Sequence, residues 1–119
     1  MGLTHIAVKL RSVGSNDTFT ANFLVDTGAT DSMVSASELK RIGVVPNGKR
    51  TYELATGELE EFDVGYGEFS FMDDKIQARV MFGPDNIEPI LGAIALESAG
   101  VMVDPVNQVL KKLPALSLK

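Results

Sequence analysis

Three stretches of the chain alternate apolar and polar side chains with a period of two. Ile6, Val8 and Leu10 interleave with His5, Ala7, Lys9 and Arg11. Phe19, Ala21, Phe23 and Val25 resume the period after a turn signal at Gly14-Ser15-Asn16-Asp17. Ile76, Ala78, Val80 and Phe82 repeat it beyond a second turn at Met72-Asp73-Asp74-Lys75. Successive side chains of a strand face opposite sides, so these runs predict half-buried strands, the first two joined as a hairpin.

Between them, Thr51 to Phe71 is strand-like but broken by Gly57, Gly65 and Gly67. Two short helical patterns interrupt the strands. Ser35 stands three residues before Glu38, a capping-box spacing, with Leu39 and Ile42 as an apolar stripe and Gly43 as the stop. The second runs from Ala93 to Ala99 and ends at Gly100. Gly83-Pro84-Asp85-Asn86 is a turn, and Val101–Val103 and Val109-Leu110 are two further strand candidates joined at Asp104-Pro105. Many short strands with two small helices predict a mainly β domain, not a parallel βαβ sheet.

The 119 residues suit one domain over 1–119, with 111–119 as a C-terminal extension. A net charge of −5 argues against nucleic acid as a partner, since phosphate binding needs a basic surface. No apolar run approaches the roughly 20 residues that span a bilayer, and Met-Gly-Leu-Thr-His lacks a signal-peptide pattern, so a cytoplasmic location is expected. The chain has no cysteine and one histidine, His5, which excludes thiolate sites and leaves little for a zinc site or a Ser-His-Asp triad. Catalysis must therefore use carboxylates, hydroxyls, lysines or backbone groups.

Asp26 is the carboxylate that needs explaining. It follows the apolar run Phe23-Leu24-Val25 and precedes Thr27-Gly28-Ala29-Thr30. An ionised group beside apolar residues is costly unless hydrogen bonds satisfy it. The tripeptide Asp26-Thr27-Gly28 alone fits an ordinary turn in which the carboxylate accepts from following amides.

The wider pattern resembles the retropepsin-like aspartic peptidases (clan AA). The apolar run, Asp26-Thr27-Gly28, Ala29 and Thr30 match the active-site loop of that group, and Ile90-Leu91-Gly92 before a short helix matches its second signature. A glycine-bearing hairpin candidate at Tyr52–Glu58 lies where the family places its flap, and Leu96 to Pro105 is similar to the ending of prokaryotic members. The likeness covers about Thr4 to Leu110 in order. It implies a single-domain closed β-barrel with two short helices, functional as a symmetric homodimer.

The resemblance further implies an aspartic endopeptidase acting on peptides or proteins, with no cofactor and no metal. Two carboxylates share a proton, one activating water and the other donating to the substrate carbonyl. Only one Asp-Thr-Gly is present, so the second Asp26 would come from another copy of the chain. By the same likeness Thr27 locks the two loops together, Gly28 and Asp31 bind substrate, and Leu54, Ala55, Thr56 and Gly57 form the flap. Ile90, Leu91 and Gly92 would support the loop from below. The turn is less glycine-rich than viral flaps, and Lys111 to Leu116 continues past the point where retroviral subunits end.

Two alternatives stand beside this reading. A phosphoaspartate enzyme would need a parallel α/β sheet and a further carboxylate, but position 28 is glycine. A retropepsin-like dimer can also serve as an oligomerisation or peptide-binding module with little proteolysis. Asp73-Asp74 and Asp85-Asn86 lack the spacing of a calcium loop and fit turns. Glu58, Glu60, Glu61 and Asp63 read as a solvated face.

Overall fold

The structure, a computed structural model, describes residues 4–104, 106, 107 and 109–115. Pro105 of the expected last turn and Leu116 of the tail lie outside the described residues.

The first two alternating runs become β1 (His5–Arg11) and β2 (Thr18–Val25). They pair antiparallel with Ile6 opposite Phe23 and Val8 opposite Ala21, so the expected hairpin forms with its apolar side chains on one face. A strand absent from the sequence reading follows, β3 (Ser32–Ser35), which runs directly into α1 (Ala36–Arg41). Ser35 caps the helix by accepting from the Glu38 amide, while the Glu38 carboxylate turns to Arg41 at 2.6 Å. Gly43 ends the turn with φ of +91°, a conformation that favours glycine.

β4 (Gly48–Glu53) and β5 (Leu59–Phe71) form a second hairpin, and β5 with β6 (Asp74–Gly83) a third. Met72 and Asp73 both take positive φ between the last two, the backbone twist a two-residue hairpin turn requires. Gly65 and Gly67 do not break the strand as expected; both lie inside the continuous β5. A Cβ at Gly65 would stand 2.9 Å from the Val45 carbonyl oxygen, and one at Gly67 2.7 Å from Leu10 Cδ1. These glycines admit a neighbour; they do not punctuate the chain.

After the turn at Gly83–Asn86 come β7 (Ile90–Leu91), α2 (Ala93–Ser98), β8 (Val101–Asp104) and β9 (Val109–Lys112). The main sheet is ordered β1-β2-β7-β3-β6-β5-β4, and β1 also pairs with β5 through Leu10 opposite Phe69. That second pairing closes six strands into a barrel and leaves β4 projecting from β5. β8 and β9 form a separate antiparallel pair.

The barrel is filled from the alternating faces. Leu10, Phe23, Val34, Phe69, Val80 and Leu91 are fully buried, and Phe23 meets Phe69 edge-on at 6.5 Å. Leu39 of α1 and Ile42 just beyond it join the same core. Burying a side chain of this size contributes about 1.5–3 kcal/mol, so the barrel is a rigid base for the loops that leave it.

Candidate active site

The end of β2 is gripped from both sides. The Leu24 amide donates to the Pro89 carbonyl at 2.9 Å, the Val25 amide to Thr4 at 2.9 Å and the Asp26 amide to Leu91 at 3.0 Å. The chain then leaves the sheet at Asp26 with its backbone position set. Asp26 Oδ1 accepts from the Gly28 amide at 2.9 Å, and the Asp26 carbonyl accepts from Ala29 at 3.1 Å. The half-buried carboxylate is thus aimed by its own loop.

The loop is held from below by the second motif. Leu24 and Val25 pair in parallel with Ile90 and Leu91. Gly92 lies so close beneath the loop that a Cβ there would meet the Asp31 carbonyl at 2.6 Å and the Ala29 oxygen at 3.0 Å. Its amide donates to the buried Ser32 hydroxyl at 3.0 Å. The first amides of α2, from Ala93 and Ile94, donate to the Ala29 and Thr30 carbonyls at 2.8 and 3.1 Å. Helix-end donors that would otherwise lack partners therefore hold the Asp26 loop in shape.

Beside the loop lies a cleft of about 520 Å³. Gly28, Ala29, Thr30 and Asp31 form one wall, and Arg50 to Leu54 of the projecting hairpin lie over it. Met33, Met81, Ile90 and Ile94 supply an apolar side. The hairpin turn is closed by the Leu54 amide donating to the Glu58 carbonyl and the Gly57 amide donating to the Leu54 carbonyl, with Gly57 at φ +90°.

Of the residues singled out from sequence, Gly28, Ala29, Thr30, Asp31, Leu54 and Ile90 line this cleft. Asp26 stands next to it. Thr27 faces a different hollow, shared with Leu96, Val101 and Met102. Ala55, Thr56 and Gly57 form the exposed hairpin tip and do not line the cleft. Glu58, Glu60 and Glu61 are exposed, and Asp63 pairs with Lys49 at 2.9 Å.

Arg79 was not anticipated, and Tyr52 was named only as the start of the hairpin candidate, with no role in the site. The Tyr52 hydroxyl donates to Asp31 Oδ2 at 2.6 Å, and Arg79 Nη1 stands 3.7 Å from the same oxygen. Burial, reinforced by the bond to Asp31, pushes the Tyr52 phenol well above the usual tyrosine range and keeps it a donor. A sequence signal for Tyr52 existed: it lies two residues before Leu54, on one face of a strand. Arg79, between buried Ala78 and Val80, reads as solvent-facing until the flanking hairpin is placed over it.

Residues 11–94 match the aspartyl protease family. The chain belongs to that family. The fold of this retropepsin-like member is similar to that of the foamy viral protease–reverse transcriptase solved with an RNA/DNA hybrid. That match has a TM-score of 0.59 and 21% identity over 80% of this chain, which spans only 12% of the viral protein. The simian foamy virus (mac) protease solution structure matches with a TM-score of 0.57 and 18% identity, covering 79% of this chain and 92% of that one. No curated protein sequence matches the chain.

Proposed function

We propose that this family member is an aspartic endopeptidase that works as a symmetric homodimer. The observation that carries the reading is the Asp26 loop. One carboxylate sits at a strand end, oriented by the Gly28 amide and locked by Gly92 and α2, next to a cleft of about 520 Å³.

In the proposed reaction Asp26 of one copy removes a proton from a water between the two loops, and the water oxygen bonds to the peptide carbonyl carbon. The protonated Asp26 of the second copy donates to the carbonyl oxygen. Collapse of the tetrahedral species breaks the C–N bond as the amine takes a proton. The closeness of two carboxylates makes a shared proton favourable. The apolar wall and the β4–β5 hairpin exclude bulk water and strengthen these interactions.

The second copy is supported by the surface beside Thr27. The hollow there is bordered by Val101 and Met102 of β8, and β8–β9 is a two-stranded sheet whose outer edges have no strand partner among the described residues. Met102 and Val109 are exposed on it. Open edges and apolar side chains together suit pairing with an identical strand pair.

The test is cleavage of a diverse peptide library from mildly acidic to neutral pH by wild type and Asp26→Asn, with sedimentation in parallel. Cleavage by the wild-type dimer alone supports the proposal. Cleavage that survives in the variant removes Asp26 from the mechanism, and silence from two confirmed dimers favours a peptide-binding module.

A further inference from the structure

β4, β5 and β6 lie side by side, and the cleft runs against one face of them. Tyr52 marks that face: its hydroxyl reaches Asp31 at 2.6 Å and its ring stands 6.1 Å from Phe62. Arg50 lies two residues before Tyr52 on β4 and opposite Phe62 on β5, so its side chain leaves the same face. Val64 opposite Met81 and Tyr66 opposite Arg79 continue the face across β5 and β6. Arg50 and Arg79 line both the cleft and a smaller adjoining hollow of about 240 Å³.

Lys49, Arg50, Val64, Tyr66 and Arg79 border the hollow, and no Asp or Glu lines it. That runs against the composition of the chain, which carries 16 acidic and 11 basic residues. The three cations are not equally engaged. Lys49 pairs with Asp63 at 2.9 Å. Arg79 donates one N–H to the Tyr66 hydroxyl at 3.2 Å, with its guanidinium over the Tyr66 ring. It stands 3.7 Å from Asp31, close enough to balance charge and too far for a hydrogen bond. The exposed Arg50 side chain has no ion pair or hydrogen bond among the described residues. Asp63 thus offsets Lys49 and Asp31 offsets Arg79. Arg50 is the charge left over.

We propose that this hollow is a subsite for an acidic side chain, glutamate or aspartate, of a peptide lying in the cleft, with Arg50 as its specificity-determining residue. A guanidinium carries five N–H donors in a plane that matches a carboxylate, and those of Arg50 are uncommitted. Arg79, steadied by Tyr66, brings its remaining N–H groups to the other side of the hollow. Val64 and the Tyr66 ring offer apolar surface to the methylenes. Glutamine has the same length but no charge to pair with Arg50, and lysine is repelled by it. The proposal rests on a peptide occupying the cleft, as in the peptidase reading, and adds the charge that this peptide carries.

The experiment uses a positional-scanning set of peptides with glutamate, glutamine or lysine at each position in turn. Both ends are blocked, so that the side chain is the carboxylate being read. Binding to full-length Asp26→Asn protein is measured by fluorescence anisotropy, and cleavage by wild type is followed separately. The expected result is one position at which glutamate binds roughly 10-fold tighter than glutamine and lysine binds weakest. The preference should shrink as salt is raised, since the hollow is open to solvent. Arg50→Gln on the same background should bring the glutamate and glutamine peptides within about 2-fold of each other, and Arg50→Lys should keep part of the difference. Because Arg50 is exposed and its side chain holds no other element, neither variant threatens the fold. No position favouring glutamate, no binding by any peptide, or a preference that survives Arg50→Gln overturns the proposal. Cleavage without glutamate selection sinks the subsite and leaves the peptidase, whereas glutamate selection without cleavage does the reverse.

Discussion

The buried Ser32 hydroxyl accepts a hydrogen bond from the Gly92 amide at 3.0 Å, joining two points 60 residues apart in sequence. Ser32 opens β3 directly after the Asp26 loop, and Gly92 opens α2 directly after β7. This bond fastens the two motifs of the family to each other behind the candidate catalytic carboxylate. It also satisfies a buried backbone donor that no helix or strand partner reaches.

Removing that hydroxyl tests the fastening. Ser32→Ala leaves the Gly92 amide buried and unpaired, which costs about 1–3 kcal/mol of stability. Denaturant unfolding should show a lower midpoint with little change in slope. Any peptidase activity should fall more than the folded fraction does, because the loop loses its anchor.

Gly92→Ala acts at the same place by crowding. The added methyl would lie 2.6 Å from the Asp31 backbone, which is not a flexible side-chain end that can move aside. Overpacking of this kind costs about 1–3 kcal/mol. The outcome to check is a lower unfolding midpoint together with weakened exchange protection of the Ala93 and Ile94 amides.

Acid should loosen the β8–β9 pair before the barrel. The Asn107 side-chain amide first, then the Asn107 and Val106 backbone amides and Lys111, hold the Asp104 carboxyl down at about 2. A depressed carboxyl stabilises the fold above its unfolded value near 4 and ceases to do so as pH falls toward 2. Hydrogen exchange should therefore show β8–β9 amides opening between about pH 4 and pH 2. In Asp104→Asn the same amides should already be less protected at pH 6.

The dimer proposal predicts that a charge on the exposed face of β8 separates the copies. Met102 is 47% exposed, so Met102→Lys should leave the monomer fold intact. Sedimentation should show the wild type as dimer and the variant shifted to monomer, with peptidase activity lost in proportion. An unchanged dimer would place the interface elsewhere.

Alkaline titration examines Tyr52. Its phenol is held above the ordinary value near 10, so the neutral form stabilises the fold at lower pH and that contribution is lost as pH rises through the raised value. Tyr52→Phe should remove the phenolate absorbance that develops latest in wild type.

The sequence by itself determined the barrel's strands wherever one face is buried and the other wet, because such strands repeat every two residues. Ile6–Leu10, Phe19–Val25 and Ile76–Phe82 carried that signal, and Ser35 and Gly43 marked the helix between them through local capping chemistry. Asp26-Thr27-Gly28 and Ile90-Leu91-Gly92 were legible as a pair in order along the chain. Only the tertiary structure decided what depends on distant approach. β3 is four residues long, too short for a period to declare itself, and exists through parallel pairing with β6. Gly65 and Gly67 read as breaks because local propensity carries no record of Val45 and Leu10 pressing against them. Tyr52, Asp31 and Arg79 come from three separate segments, and their polar contact arises when the β4–β5 hairpin is laid over the cleft. Alternation records which face a side chain takes, whereas a site assembled across strands is set by how those faces meet.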